Sequence, residues 1–114
     1  MRLPNIAVDG KSVTREAMNR TVFISVVVCA HNEEDYVDKC LSSLLHAMDN
    51  FRREIIFVAD RCTDRTVERA KKYGVRLIEK KWRRWRNSYA ESLQTGYLRA
   101  KGSHVVIVDV DTII

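Results

Sequence analysis

Four short runs of apolar, largely β-branched residues recur along this chain, and longer segments with helical periodicity separate them. The runs occupy residues 22–29, 54–59, 75–79 and 104–110. The first two are nearly continuous, which is typical of strands that are covered on both faces. Strands that alternate with helices imply a parallel sheet with right-handed crossovers. The sequence therefore predicts an α/β fold of the order β-α-β-α-β-α-β, a Rossmann-like parallel sheet with helices on both faces.

The segments between the runs predict three helices, which occupy residues 31–50, 63–74 and 87–102. Asn32 is expected to cap the first helix, and acids follow in its first turn, where negative charge suits the helix dipole. Thr63 is the expected cap of the second helix and Gly74 its stop. Gly102 is expected to end the third helix. The inward faces are predicted to carry Val37, Cys40, Leu41, Leu44, Leu45 and Met48 in the first helix, Val67 and Ala70 in the second, and Tyr89, Leu93, Tyr97 and Ala100 in the third.

Length and composition indicate one globular domain. The chain has 114 residues, of which 46% are hydrophobic and 31% are charged, a balance typical of a protein with a packed core. Residues 1–21 are mixed and polar, and we interpret them as a leader segment with a short helix at residues 13–19. The domain proper is predicted to occupy residues 22–114.

The sequence contains neither a predicted membrane span nor a secretory signal. No apolar run approaches the roughly 20 residues that cross a bilayer, and the first residues lack the apolar stretch of a signal peptide. The three cysteines, Cys29, Cys40 and Cys62, are odd in number and show no paired spacing. This pattern favours small buried residues in a reducing compartment, so the predicted location is cytoplasmic.

Polar and acidic residues follow three of the predicted strands at the point where each strand ends. In parallel α/β sheets, ligands bind outside the carboxyl ends of the strands. We therefore expect these residues to share one rim and to form the binding site. They are Ala30, His31, Asn32 and Glu33 after the first strand, Asp60, Arg61 and Cys62 after the second, and Asp109, Val110 and Asp111 at the end of the fourth.

Asp109 and Asp111 form an Asp-x-Asp pair at the end of an apolar strand. Two such carboxylates can converge on a hard divalent cation, and Mg²⁺ or Mn²⁺ is commonly held by one or two carboxylates together with substrate phosphates. The pair therefore predicts a metal site. The alternative is a strand that ends in solvated acids, or an aspartate that caps the following turn.

Asp60 is placed to accept a hydrogen bond from a nucleobase N–H or a ribose hydroxyl of a ligand at the same rim. Its alternative role is an Asx-type turn that only shapes the loop, although Thr63 and Asp64 fit that role better. Asn32 and Glu33 have a comparable alternative, which is helix capping alone.

Six cations lie between residues 76 and 86, interleaved with Trp82 and Trp85. With a net charge of +5, such a segment suits a nucleic acid, a membrane interface or a diphosphate. A solvated basic loop is the alternative. Neither a Gly-x-Gly-x-x-Gly nor a Gly-x-x-x-x-Gly-Lys-Ser/Thr motif is present, so the sequence does not support a dinucleotide or P-loop site of those types.

Three segments together resemble the amino-terminal half of the family 2 glycosyltransferases, and within that family the dolichyl-phosphate mannose synthase-like enzymes. The segments are ISVVVCAHNEEDYVDKCLSSLL, EIIFVADRCTDRTVERAKKYG and LQTGYLRAKGSHVVIVDVD. The resemblance implies a GT-A fold and inverting transfer from a UDP- or GDP-linked sugar, with Mg²⁺ or Mn²⁺ as cofactor. It extends from Phe23 to Asp111, and its specificity lies in the order and spacing of the motifs.

The resemblance implies a role for each rim residue that matches a family motif. Asn32 and Glu33 are implied to lie against the nucleoside, and Asp60 at the base or ribose. Asp111 is implied as the direct metal ligand and Asp109 as a residue nearer the ribose or the metal shell. The implied nucleotide-binding residues are Ala30, Asn32, Glu33, Asp60 and Asp109, and the implied metal ligands are Asp109 and Asp111.

The chain also departs from the family pattern. Ala59 occupies a position where members often have a first acid, and the third helix lacks the Gly-Lys or Arg-Asn element of many members. A cation expected near the diphosphate is therefore missing, and Arg83, Arg84 and Arg86 are candidate replacements. The family's catalytic base and acceptor half follow the Asp-x-Asp motif, so we expect a fold truncated after the fourth strand, with no catalytic residue in this chain.

Two other classes of protein stay open. A phosphatase of the haloacid dehalogenase type also carries Asp-x-Asp after a strand, but Ile113 occupies the position where its motif usually has Thr or Val. A non-catalytic binding module would act as a homodimer through an uncovered sheet edge, or bind nucleic acid through the basic segment. The predicted partner is a nucleotide-diphosphate sugar; a homodimer and peripheral membrane contact are open hypotheses, and nucleic acid is not expected.

Overall fold

The computed structural model describes residues 5–8, 11–14 and 22–112. In the first two ranges, β1 (Asn5–Val8) pairs antiparallel with β2 (Lys11–Thr14). The predicted helix at residues 13–19 is therefore wrong at Val13 and Thr14, which belong to β2, and its remaining residues lie outside the described ones. Both of these residues are β-branched, a type that favours extended backbone.

A four-stranded parallel sheet forms the centre of the domain. Its strands are β3 (Phe23–Ala30), β4 (Arg52–Asp60), β5 (Arg76–Lys80) and β6 (His104–Asp109), in the order β5-β4-β3-β6. The register pairs Ala30 with Ala59, Cys29 with Asp109 and Asp60 with Lys80. The predicted α/β order is confirmed, and the carboxyl ends of all four strands lie at one edge of the sheet.

Three α-helices connect these strands in the described part of the chain. They are α1 (Glu34–Ala47), α2 (Thr66–Ala70), which continues as a 3₁₀ turn over Lys71–Tyr73, and α3 (Ser88–Leu98). Gly74 ends the second helical segment as predicted, with a φ of 65°, because glycine adopts left-handed backbone at little cost. Each helix begins later than its predicted segment, since the loops at the carboxyl edge take the first residues.

The larger core lies between one face of the sheet and the helices α1 and α2. Val26, Val28 and Phe57 are fully buried on this face. The residues predicted to face inward from α1 and α2 are buried or partly buried against them, so those predictions are confirmed. Each fully buried side chain of this size stabilises the fold by about 1.5–3 kcal/mol. This packing fixes the start of both helices, and with it the loops at the carboxyl edge.

Helix α3 covers the opposite face of the sheet through small residues rather than through its tyrosines. Gly96 is buried there, and a Cβ at this position would lie 2.5 Å from Val27 Cγ1 and 3.2 Å from Val58 Cγ2. The prediction that Tyr89 and Tyr97 face inward is wrong, because they are 46% and 59% exposed. The helix lies too close to the sheet for a large ring on this face, and the other two predicted residues are partly buried at its margin.

Gly102 has a different role from the predicted one. Helix α3 already ends at Leu98, and a Cβ on Gly102 would lie 2.6 Å from Phe23 O and 2.7 Å from Ser25 N. Its own N–H donates to Ser25 Oγ at 2.8 Å. Glycine is therefore required here because the backbone passes directly against β3, and not because a helix ends.

Strand β6 is the least covered strand of the sheet. It pairs with β3 on one side, and within the described residues no strand pairs with its other side. Val106 and Ile107 are 43% and 52% exposed, whereas Val108 is buried. An apolar run in this strand is therefore only partly covered by α1 and α3.

Among the described residues, no helix has both the length and the apolar character needed to cross a membrane.

Candidate functional site

Two loops at the carboxyl edge support each other through side-chain to backbone hydrogen bonds. Asn32 Oδ1 accepts from Thr63 N at 2.7 Å and from Asp64 N at 3.2 Å. In return, Asp64 Oδ2 accepts from Glu34 N at 3.2 Å. The loop after β4 therefore caps the first turn of α1, while the loop after β3 orders the loop after β4.

These contacts correct two predicted caps. Asn32 does not cap its own helix, whose N-cap is Glu33 without a side-chain cap; Thr66 Oγ1 accepts from Glu33 N at 2.9 Å instead. Thr63 does not cap α2, because Asp64 Oδ1 accepts from Thr66 N at 2.9 Å. The alternative proposed for Asp64, an Asx-type turn that shapes the loop, is confirmed.

Asn32 and Arg61 adopt left-handed backbone conformations, with φ of 49° and 48°. For residues other than glycine this costs of the order of 1–3 kcal/mol and persists only where surrounding contacts hold it. Arg61 N donates to Lys80 O at 2.7 Å, which ties this turn to the end of β5. The turn directs the Arg61 side chain toward the end of β4.

A pocket of about 350 Å³ opens at the carboxyl edge of the sheet. It is lined by Cys29, Ala30, His31, Glu33, Asp60, Arg61, Ser88, Tyr89 and Ser92. A smaller pocket of about 180 Å³ shares Cys29, Glu33 and Tyr89 with it and adds Asp109, Val110 and Asp111. The structure thus brings the predicted rim residues together, with the exceptions of Asn32 and Cys62, which line neither pocket.

Asp60 lies in the wall of the larger pocket and is only 4% exposed. Its Oδ1 accepts from Arg61 Nε and from Lys80 Nζ, both at 3.0 Å, and its Oδ2 accepts from Ser88 Oγ at 2.5 Å. Burial by itself raises the pKa of this carboxyl, but the hydrogen bonds from Arg61, Ser88 and Lys80 outweigh it and lower the pKa to about 2. The carboxylate is therefore charged and paired at neutral pH.

Lys80 lies behind Asp60 and is completely buried. Its ammonium contacts Asp60 Oδ1 at 3.0 Å, Glu91 Oε1 at 2.8 Å and the carbonyl oxygen of Trp82 at 2.8 Å. Three acceptors satisfy the three N–H donors of a lysine. A buried cation between two carboxylates thus joins β4, β5 and α3 directly beneath the pocket.

Asp109 and Asp111 are exposed at the end of β6, on either side of the buried Val110. Tyr89 Oη donates to Asp109 Oδ1 at 2.5 Å. This hydrogen bond, together with burial, raises the pKa of Tyr89 to about 12, so the phenol stays protonated and orients Asp109. No contact of this kind is seen for the Asp111 side chain among the described residues.

The two carboxylates are chemically suited to a hard cation but do not enclose one. The described residues include no group of three or more His, Cys, Asp or Glu side chains that could hold a metal ion. Mg²⁺ in particular is usually held by one or two carboxylates and completes its coordination with phosphate and water. The donor set therefore fits a cation that arrives with a phosphate ligand.

Two cysteines near the site, Cys29 and Cys40, are buried. Burial, and then the charges of Asp60 and Asp109, raise the pKa of Cys29 to about 12. Burial and the charge of Asp111 raise the pKa of Cys40 to about 11. Both thiols therefore stay protonated at neutral pH, and the thiolate, not the thiol, is the nucleophilic form of cysteine. The prediction that these two cysteines are small buried residues is confirmed.

The sequence placed Arg61 at the rim without a role, and it did not predict Ser88, Tyr89 or Ser92 as residues of the pocket. Within the described part of the chain, Arg61 is the only arginine or lysine that lines the larger pocket. Arg83, Arg84 and Arg86, the candidate cations named from the sequence, are not part of its lining. Ser88 was noted only as a departure from a family pattern. Ser88 directly follows the basic segment at the start of a helix, and this position could have indicated that it lies near the carboxyl edge of the sheet.

These features define a class of protein, a parallel α/β domain with a ligand pocket at the carboxyl edge of its sheet. The sequence profile of Glycosyl transferase family 2 matches residues 25–114, and the chain belongs to that family. This membership leaves the hypothesis of a haloacid dehalogenase-type phosphatase without support.

The chain is similar to two mannosyltransferases. It is 28% identical over 92 residues to the dolichol-phosphate mannosyltransferase of Pyrococcus furiosus, which covers 77% of this chain and 25% of that protein. A mannosyltransferase from Pyrobaculum calidifontis, solved with GDP-Man and Mn²⁺, superposes with a TM-score of 0.65 at 25% identity, over 79% of this chain and 28% of the other.

A second solved structure is the glucosyl-3-phosphoglycerate synthase of Mycobacterium tuberculosis in complex with Mn²⁺, UDP and phosphoglyceric acid. It superposes with a TM-score of 0.68 at 27% identity, over 86% of this chain and 36% of that chain. The present chain thus spans between a quarter and about a third of the length of these relatives. The likeness confirms the predicted GT-A type of parallel sheet.

Proposed function

We propose that this chain is the donor-binding part of a glycosyltransferase that takes a nucleotide-diphosphate sugar together with Mg²⁺ or Mn²⁺. The observation that carries the proposal is the connection of the two pockets through Tyr89, which lines both and donates to Asp109. Family membership supports it, as do relatives solved with GDP-Man and Mn²⁺ or with UDP and Mn²⁺.

The larger pocket is proposed to hold the nucleoside. Ala30 and Glu33 contribute its wall, and Asp60 its buried acceptor for a base N–H or ribose hydroxyl. Because Asp60 already accepts from Arg61 and Ser88, a ligand donor would replace one of these contacts. Asn32 is proposed to act indirectly, because its side chain accepts from Thr63 N and so orders the loop that follows Asp60.

Asp109 and Asp111 are proposed to hold the metal ion, with Asp111 as the direct ligand and Asp109 as the residue nearer the ribose. Once bound, such an ion neutralises the charge that develops on a departing diphosphate. The protein's own contribution is to hold the carboxylates at the mouth of the smaller pocket, one of them through Tyr89.

Arg61 is proposed as the cation that faces the diphosphate. It is the basic residue of the pocket lining, and its guanidinium reaches both Asp60 and Ser88 Oγ, the latter at 3.1 Å. A guanidinium suits phosphate because its planar donors match two oxygens at once. We assign no general base among the described residues, so the proposal concerns donor binding and not transfer by this chain alone.

The proposal is tested by calorimetry with UDP and GDP in the presence and absence of Mn²⁺. We expect nucleotide binding that depends on the metal and that falls by at least about tenfold in Asp111→Asn, since loss of a ligand costs no less than loss of its supporting contacts. Asp49→Asn, an exposed aspartate near the end of α1, is the matched control and should bind like the parent chain. Equal binding by parent and Asp111→Asn would contradict the metal assignment.

A homodimer remains a second hypothesis with one observation in its favour. The exposed apolar residues of β6, Val106 and Ile107, lie on the strand that lacks a second neighbour among the described residues. Such an edge favours pairing with another chain. Light scattering should then report twice the monomer mass, and a monomer at all concentrations would count against the dimer.

A further inference from the structure

A basic loop with two tryptophans joins β5 to α3. This loop, residues 81–87, is exposed along its whole length. Trp82 and Trp85 are 39% and 45% exposed, although large aromatic side chains are usually buried against the protein. Its basic residues are Lys81, Arg83, Arg84 and Arg86.

The loop is held in one shape by contacts beneath it. The buried Glu91 carboxylate accepts from Arg84 N at 2.9 Å and from Trp85 N at 3.1 Å. Arg83 donates to the carbonyl oxygen of Arg86 at 2.7 Å. The Lys80 ammonium holds the carbonyl oxygen of Trp82. The loop therefore presents its tryptophans on an ordered scaffold, which lowers the entropy lost on binding a partner.

The charge of this loop is not balanced within the described residues. None of its four cations takes part in an ion pair there. The Glu91 carboxylate contacts only backbone N–H groups of the loop, and its charge is paired with buried Lys80. Unpaired cations that surround aromatic rings attract an anionic partner. The charge therefore favours a partner with a negatively charged surface.

The apolar component of the same surface indicates which anionic partner fits. Trp82 and Trp85 line a shallow depression together with Leu98 of α3, which is 69% exposed, and with Arg84 and Arg99. An aliphatic side chain adds little to the stacking of bases, but it gains from contact with acyl chains. Tryptophans at such a surface suit the level of lipid headgroups, where one part of the ring is apolar and the other polar.

We propose that the loop 81–87, together with Leu98 and Arg99, is a docking surface for an anionic lipid bilayer. The tryptophans and Leu98 enter the interface, and the surrounding cations pair with lipid phosphates. The two ends of the loop adjoin Lys80 and Ser88, which both contact Asp60. The docking surface is therefore continuous along the chain with residues that contact the wall of the larger pocket. The proposal does not depend on donor binding.

Intrinsic fluorescence tests the proposal directly, because the only two tryptophans of the chain lie in this loop. We expect the full chain to float with vesicles of phosphatidylcholine and phosphatidylglycerol, with a blue shift of its emission and quenching by brominated acyl chains. Vesicles of phosphatidylcholine alone should bind far less, and added salt should weaken the binding. Absence of binding to the anionic vesicles would overturn the proposal.

Matched charge variants separate this surface from general electrostatic attraction. Lys81→Glu/Arg86→Glu should lose at least about tenfold in partitioning, because each cation near an anionic surface contributes to binding. Lys71→Glu/Lys72→Glu makes the same change in net charge on the exposed 3₁₀ turn and should retain most of the binding. Thermal unfolding of both variants controls for folding. Equal losses in the two variants, or salt-sensitive binding to an oligonucleotide without binding to vesicles, would contradict the assignment.

Discussion

Lys80 shows at the scale of one residue how context changes the role of a charge. In the sequence it is one of six cations in a basic segment, for which a solvated loop was an alternative. In the structure it is completely buried between Asp60 and Glu91. Since strand register places Lys80 beside Asp60, the side chain stabilises the site from below.

We predict that Lys80→Met destabilises the fold by about 3–5 kcal/mol, because removal of one partner leaves buried carboxylates without their counter-charge. The free energy of unfolding in urea measures this loss. Lys81→Met, at the exposed neighbouring position, is the control and should stay within about 0.5 kcal/mol of the parent chain. A small effect at both positions would mean that the buried pair does not stabilise the fold.

Arg61 and Tyr89 make the same point for the site itself. Arg61 follows a strand end, yet its left-handed backbone is held by a hydrogen bond to Lys80 O, and its guanidinium reaches Ser88 Oγ. Tyr89 has the spacing of an inward helix residue but contacts Asp109. Both depend on neighbours that are distant in sequence, so single-residue patterns could not assign them.

At the scale of the element, α3 depends on a small residue at its contact with the sheet. Most helix interiors tolerate alanine better than glycine, by about 1 kcal/mol. At Gly96 the expected sign is reversed, because an added Cβ would lie 2.5 Å from Val27 Cγ1. Fully buried valines on the sheet cannot move aside without disturbing the core.

We therefore predict that Gly96→Ala destabilises the fold by about 1–3 kcal/mol, the usual cost of overpacking a core. The midpoint of urea unfolding reports the change. Gln94→Ala, on an exposed position of the same helix, should leave the midpoint unchanged or raise it slightly. A stabilised Gly96→Ala variant would show that the helix can move away from the sheet at no cost.

The whole molecule should respond to acid through its paired carboxylates. Interactions in the fold lower the pKa of Asp60 to about 2, and they also lower the pKa values of Glu54, Asp64 and Glu91. A carboxyl whose pKa is lower in the folded chain stabilises the fold at pH values above its unfolded pKa. That stability is lost as the pH falls through the folded value.

We predict that the free energy of unfolding is nearly constant from neutral pH to about pH 5 and falls steeply between about pH 4 and 2. Urea unfolding at several pH values measures it. Glu54→Gln keeps an acceptor for Ser25 Oγ and Lys101 N but removes a titrating group, so its loss should be smaller. Glu79→Gln, at an exposed position of β5, should follow the parent curve. Parallel curves for the parent and Glu54→Gln would contradict the role of Glu54.

Most of the fold could be predicted from the sequence, because strands and helices follow from local periodicity. The apolar runs, the inward face of α1 and the stop at Gly74 were all correct. The errors have physical causes. Asn32 does not cap α1 because its side-chain oxygen accepts instead from Thr63 N across the rim. Tyr97 faces outward because α3 contacts the sheet closely through Gly96.

By itself, the sequence determined the order of strands and helices, the family, and the clustering of polar residues at strand ends. These depend on periodicity and on the rule that parallel strands end at one edge. Only the tertiary structure decided that Lys80 is buried beneath Asp60, that Arg61 and not Arg83, Arg84 or Arg86 faces the pocket, and that the loop 81–87 presents its tryptophans outward. The reason is physical: each of these outcomes depends on the register of β5 against β4 and on the contacts of Glu91, which bring together residues far apart in sequence.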